Sequence, residues 1–458
     1  MKARNEKPVV IAGGGIGGLA AALALARKGF RSVVLEQAQQ FGEIGAGIQI
    51  APNAWHALDA LGVGGLVKKE AVFIERLLMF DGVSGEKVID IPLDARFARR
   101  FGNPYAVTHR ADIHGSLLDG CKALPELIEL RTNTRVAGFS QESHCVSVST
   151  ADGRRIAGEA LIGADGGRSA IREKIVGDTL PLITGHMCYR AVLDIDRVPK
   201  GLRFAAATLW AGHNTHIVHY PLRGWKLFNL VATVIGKHTS GGHNELALPD
   251  EVLPLFSHYC DEPMKLMRTP KEFRRWMLLH REPVDNWTQG RVTLLGDAAH
   301  FMLQYMAQGA AMAMEDAVCL GACAEACDGD FERAFLQYQE KRIVRATRVQ
   351  ISANKLVGMI FHVPDGLERE VRNDIYRGRT PERYYDALEW VFSAPDYVRN
   401  FREENRNFSG KAAAGRSPKP SAPRKAASSA PARSTGSRAR AARPARRPPS
   451  RRRASPGR

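Results

Sequence analysis

The chain has 458 residues and a formal net charge of +17, but from Lys411 to Arg458 it holds 15 Lys or Arg and no Asp or Glu, which leaves +2 for everything before. A nucleic-acid-binding domain carries its positive charge on a folded face or stripe, so this distribution argues against that function and no nucleic-acid partner is expected. The near-neutral remainder has ordinary globular composition, is long enough to bury a large core, and suggests two or three domains.

Val9 to Ala26 is an unbroken run without charged side chains, preceded by Lys2, Arg4 and Lys7, a pattern shared with secretion signals and membrane anchors. Five glycines interrupt its centre, however, and a lipid-facing helix gains nothing from such a cluster. No integral membrane segment and a cytoplasmic location are therefore expected. Pro8 to Ala12 reads instead as a short strand, Leu19 to Arg27 as a helix and Arg31 to Glu36 as a second strand, a β-α-β unit of about thirty residues. The turn between them, Gly13-Gly14-Gly15-Ile16-Gly17-Gly18, fits G-x-G-x-x-G. Gly13 allows the tight turn, Gly15 lets backbone amides approach a pyrophosphate at the helix N-terminus, Gly18 permits close helix packing, and Glu36 is placed to accept hydrogen bonds from a ribose. In this context the motif predicts a bound dinucleotide. It occurs once, so no second domain for a nicotinamide nucleotide is expected.

Pro52 to Leu61 reads as a helix with Pro at its start and Gly62 past its end. Helices are also expected over Asp112–Ala123, Ala310–Cys327 and Phe331–Ala353, and buried strands at Ala160–Gly163 and Val292–Leu295. Each of those two strands leads to an aspartate beside small residues. Asp165 serves equally well as a helix cap or a cofactor contact. Gly296-Asp297-Ala298-Ala299-His300, followed by Gln308-Gly309-Ala310 before a helix, is more specific. A carboxylate and a helix N-terminus facing one crevice suit a polyol and a phosphate-like or ring carbonyl group.

Between about Leu180 and Asn286 the pattern changes to period-two alternation, through Tyr189–Ile195, Ala206–Trp210, Thr215–Tyr220 and Lys226–Val234, which predicts an inserted antiparallel sheet. His213, His216 and His219 resemble a metal site in spacing. On a strand, however, His216 and Tyr220 face one way and His213 and His219 the other, so three ligands on one ion are excluded and no metal is expected. A neutral imidazole sharing a face with a tyrosine suits a phenol pocket. The seven cysteines are scattered without a C-x-x-C pair and imply no disulfide framework. The expected division is a first dinucleotide-binding part over 1–178, a β-sheet substrate domain over 179–286, a second dinucleotide-binding part over 287–330, C-terminal helices over 331–405, and a disordered basic tail over 406–458.

These motifs together resemble the single-component, FAD-dependent aromatic hydroxylases of the para-hydroxybenzoate hydroxylase and salicylate hydroxylase type, over about Val9 to residue 400. Thr108 to Asp112, His216 to Gly224 and Leu303-Gln304-Tyr305 look most like the members that act on 3-hydroxybenzoate. The resemblance implies an α/β fold with a Rossmann-like FAD-binding domain, bound FAD, NADH as a transient cosubstrate, and a small aromatic acid and O2 as reaction partners, with a homodimer as the protein partner to consider. It also implies that Glu36 holds the adenosine ribose, that Gly47 and Arg110 contact the cofactor, that Asp297 holds the ribityl chain, and that Gly309 and Ala310 lie by the flavin ring. His216 is then the base or hydrogen-bond acceptor for the phenol, Gln304 a polar partner for phenol or carboxylate, and Tyr105 and Tyr220 pocket-lining donors. The expected reaction is hydroxylation of 3-hydroxybenzoate para to its hydroxyl, giving 2,5-dihydroxybenzoate. Decarboxylating hydroxylation of salicylate to catechol, or action on another hydroxybenzoate, stays open. Phe301 stands where the family often has Pro after the Gly-Asp-Ala-Ala-His run, and Gln304 where Pro is common in the wider group.

Overall fold

The computed structural model describes residues 4–404, apart from 43, 44, 179 and 238–241 and the side chains of 402–404. The basic segment from 406 onward lies outside the described residues. Among those described, the first sheet runs in the order Thr288–Gln289, Val292–Leu294, Ala160–Gly163, Val9–Ala12, Ser32–Leu35 and Ile128–Arg131. Its pairings are parallel except for the edge hairpin Thr288–Gln289 with Val292–Leu294. The central strands read as uninterrupted apolar runs because both faces are covered. Helix Ile16–Arg27 packs against helix Gly309–Ala326, and the contact is close enough that a Cβ on Gly321 would sit 3.0 Å from the Ala24 carbonyl oxygen. Both helices are buried nearly all round, which their Ala-rich sequences permit.

The second large sheet has eight strands in the order His243–Ala247, Phe273–His280, Leu182–Asp194, Leu227–Ile235, Thr215–Leu222, Ala206–Gly212, Arg76–Asp81 and Lys87–Pro92. It is antiparallel except where Ala206–Gly212 meets Arg76–Asp81. Two of its strands thus come from residues 76–92, well before the stretch whose alternation announces a sheet. Val88 and Ile91 on the edge strand are both buried but three residues apart, in separate clusters on opposite faces, so no alternation marks the strand. Helix Phe331–Ile351 follows, then a π-helical turn over Ser352–Leu356 and four shorter helices ending at Glu404. No helix of the described residues is long and apolar enough to cross a membrane.

Candidate active site

The two large sheets enclose a cleft of about 1520 Å³. One end is built from main chain. Gly13 has φ +107°, and a Cβ there would lie 2.2 Å from the Ala164 carbonyl oxygen; one on Gly18 would lie 1.9 Å from the Gly13 carbonyl oxygen. The turn is therefore closed to side chains, and it leaves the N-terminus of helix Ile16–Arg27 open to the cleft. Glu36, just past its strand, accepts hydrogen bonds from the Gly14 N–H at 2.8 Å and the Ala38 N–H at 2.8 Å, which fixes its carboxylate at the cleft wall. Gly15, Arg110, Asp297, Gly309 and Ala310 line the same cleft. Asp297 opens the short helix Asp297–His300, and a Cβ on Gly309 would stand 3.9 Å from its Oδ1.

Asp165 keeps both of the roles open to it. Its Oδ2 accepts from the Ala170 N–H at 2.8 Å and so caps helix Ala170–Val176, while its Oδ1 is buried without a hydrogen-bond partner among the described residues. Burial pushes its carboxyl up from the usual range. The Gln308 amide nitrogen is likewise buried and unpartnered, immediately before Gly309. A glycine cradle without room for side chains, fixed carboxylates and orphaned polar atoms around one elongated cleft are what a dinucleotide with a polyol chain and a polar ring requires.

Behind this end, an ionic network sets the Gly296-Asp297 turn. Arg342, fully buried, donates to Asp316 Oδ1 at 2.6 Å and Glu315 Oε2 at 2.7 Å. Asp316 Oδ2 in turn accepts from the Gly296 N–H at 3.0 Å and lies 2.7 Å from His300 Nε2. Burial pushes the Asp316 carboxyl up, but the facing His300 ring and Arg342 guanidinium outweigh it and hold the group at about 2. None of this network is visible in the local motif.

The other end of the cleft is floored by side chains of the eight-stranded sheet. His216 and Tyr220 share its inner face, as the strand register requires. His219 points the opposite way and accepts a hydrogen bond from Trp210 Nε1 at 3.0 Å, packed against Phe204 and Phe228. His213 lies in the preceding turn beside Asn214. Gly47 approaches the Tyr220 ring so closely that a Cβ would sit 2.4 Å from it, and its N–H donates to Asn229 Oδ1 at 2.9 Å. Tyr105 donates to Gln49 Oε1 at 2.7 Å, and burial raises both tyrosine hydroxyls far above their ordinary range.

Several residues at this end carry no sequence signal. His216 Nδ1 is 2.7 Å from His362 Nε2, contributed by the chain end of helix Gly358–Phe361. His186 Nδ1 is 2.7 Å from the Tyr305 hydroxyl, and the Tyr305 ring stands edge-on to His216 with centroids 5.0 Å apart. Arg190 donates to Gln304 Oε1. Burial lowers His216 well below the ordinary imidazole value and His362 to about 3, with neighbouring histidines adding to the effect, so both rings are neutral at neutral pH. The structure thus brings His216, Tyr220, Gln304 and Tyr105 to one cleft with the cofactor candidates, while Gly18 stays behind the turn it shapes.

The class follows from comparison with known proteins. Residues 6–352 match the FAD binding domain family, and the chain belongs to it. It is an FAD-dependent aromatic hydroxylase. Over 387 residues it is 48% identical to the 3-hydroxybenzoate 6-hydroxylase of Polaromonas naphthalenivorans (strain CJ2), covering 84% of this chain and 96% of that protein. It is 44% identical over 383 residues to the 3-hydroxybenzoate 6-hydroxylase of Klebsiella oxytoca, with 84% and 96% covered. Among solved structures, Klebsiella pneumoniae HpxO complexed with FAD and uric acid superposes with a TM-score of 0.74 at 26% identity, covering 86% of this chain and 98% of that one.

Proposed function

We propose that the protein hydroxylates 3-hydroxybenzoate at the carbon para to its hydroxyl, giving 2,5-dihydroxybenzoate with NADH as electron donor. One atom of O2 enters the ring and the other leaves as water. FAD held in this cleft, once reduced, would activate O2 as the electrophile. The observation that carries the reading is His216: a neutral imidazole on the cleft floor, with Nδ1 engaged by His362 and Nε2 left for a ligand.

A phenol is attacked by an electrophile at carbons ortho and para to its oxygen, and more readily as its proton is drawn away. His216 Nε2 accepts a hydrogen bond from that hydroxyl when Nδ1–H donates to His362 Nε2, so His362 positions His216 to draw the proton away. Tyr305 packs against His216 and closes that side of the ring. Tyr220 places its hydroxyl near Gly47, where substrate and cofactor portions of the cleft meet. Glu36, Arg110 and Asp297 would hold the ribose and ribityl groups of FAD, with the Gly309 helix terminus near its ring. Incubation with 3-hydroxybenzoate and separately with salicylate, followed by chromatography against standards, tests the reading. Expected is 2,5-dihydroxybenzoate without CO2 release; catechol from salicylate as the faster reaction, or 3,4-dihydroxybenzoate from 3-hydroxybenzoate, would refute it.

A further inference from the structure

Arg190 belongs to strand Leu182–Asp194 and faces the cleft. The sheet register places it in one row with Val231, Val218, Leu209 and Met79 on one side and, on the other, with Arg274, which is itself paired with Glu272. The row on one side holds Cys188, Thr233 and His216, and the row on the other holds Val192, Asn229 and Tyr220. Rows are two residues apart, about 7 Å along the strands. The cation therefore stands at the level between the candidate base and the candidate phenol donor, over an apolar floor of Val218 and Val231 with Leu278, Trp276 and Tyr305 around it.

Its partners are neutral. Nη2 donates to Gln304 Oε1, and Nε approaches Cys188 Sγ at 3.4 Å. Arg190 is half-buried; the four fully buried arginines of the described residues each meet a carboxylate, Arg172 and Arg281 at Asp178, Arg342 at Glu315 and Asp316, and Arg372 at Asp81, whereas half-buried Arg27 donates to the Leu61 carbonyl. No carboxylate of the described residues forms such a pair with Arg190. A guanidinium in a pocket that closes over a flat ring loses its water and requires an anion. The phosphate-binding glycine turn belongs to the other large sheet, so the anion that arrives here is carried by the ring itself.

We infer that Arg190 is the specificity-determining anchor for the carboxylate of the aromatic acid, and that Gln304, by accepting from its Nη2, orients the guanidinium. This rests on the reading of the cleft as a hydroxybenzoate site and deepens it. It also explains how one ring is held at both ends, with its carboxylate at Arg190 and its hydroxyl at His216.

The test compares FAD-loaded wild type, Arg190→Gln and Arg190→Lys. Dissociation constants for 3-hydroxybenzoate and for the uncharged 3-hydroxybenzamide are read from the perturbed flavin absorbance, and FAD content is recorded for each protein. Arg190→Gln should weaken the acid on the order of 100-fold while moving the amide by less than about threefold, and Arg190→Lys should keep most of the preference for the acid. Equal weakening of acid and amide would show a merely structural role. An unchanged acid preference, or loss of FAD with amide binding, would equally overturn the inference. The same comparison with salicylate and salicylamide separates the two claims, because a wrong substrate refutes the proposed reaction while the acid preference still tests Arg190.

Discussion

The proposed cofactor end of the cleft and the proposed substrate end are built by different means. At the first, the surfaces are main chain: a glycine turn with no room for side chains, helix N-termini, and carboxylates such as Glu36 that are themselves fixed by backbone amides. At the second, the surfaces are side chains drawn from distant segments. His216 and His362, 146 residues apart, meet ring to ring, and Arg190 meets Gln304 across 114. Main-chain surfaces suit a ligand that never changes, whereas a side-chain floor can be altered residue by residue to admit a different ring. Substitutions at the two ends should therefore fail in different ways, the first by losing flavin or fold and the second by losing coupling and selectivity with flavin retained.

The largest expected effect lies behind the cofactor end. Arg342→Met would leave Asp316 facing only His300 and Glu315 only Arg345 as buried cationic partners, at a cost of about 3–5 kcal/mol measured by chemical denaturation. A loss below about 1 kcal/mol would show that the network does not hold the Gly296-Asp297 turn. Next is Asp297→Ala, which should weaken FAD retention by at least about tenfold while leaving the fold intact, since a charge-assisted hydrogen bond is removed at the cleft wall. An equal holo fraction in both proteins would count against that role.

At the substrate end, His362→Ala should leave FAD content unchanged and lower hydroxylation per NADH, less severely than loss of His216 itself, with partial recovery in His362→Gln. Coupling equal to wild type in the Ala variant would remove His362 from the positioning of His216. The effect that is smallest at neutral pH is a slope with pH that emerges only as the solution is acidified. His216, His219 and His362 are held below their ordinary value by burial, His219 and His362 to about 3, with His186 adding to the effect on His216 and His362. In the unfolded chain each titrates near 6.5. As pH falls from about 6.5 toward 3 the unfolded chain takes up protons that the folded one refuses, so stability falls by at most about 1.4 kcal/mol per pH unit per histidine and returns as pH rises. His219→Phe, on the face away from the cleft, should flatten this slope without altering coupling.

How much of this could be read beforehand follows the same division. The glycine turn, Glu36 and the Gly-Asp segment are consecutive residues whose spacing alone dictates a geometry, and the parallel sheet they sit on announces itself through apolar runs between turns. His216 and Tyr220 were legible as a pair because strand alternation places them on one face. Their surroundings were not. Nothing near His362 in the chain distinguishes it, because its role exists only once helix Gly358–Phe361 is folded against the sheet. Strand Lys87–Pro92 gave no alternation, because both of its faces are partly covered and its buried Val88 and Ile91 stand three residues apart. Arg190 was not legible either, because a polar residue is expected within the period-two alternation of its strand and only the folded sheet shows that its side faces the cleft.

The central claim, that one end of the cleft holds the cofactor while His216 at the other directs the chemistry, is tested most directly by His216→Gln. The measurement is dihydroxybenzoate formed per NADH consumed in the presence of 3-hydroxybenzoate, alongside FAD content. The expected result is wild-type FAD content, NADH oxidation still stimulated by substrate, and a product yield per NADH reduced at least about tenfold with H2O2 making up the difference. Unchanged product per NADH, or loss of FAD together with activity, would contradict it.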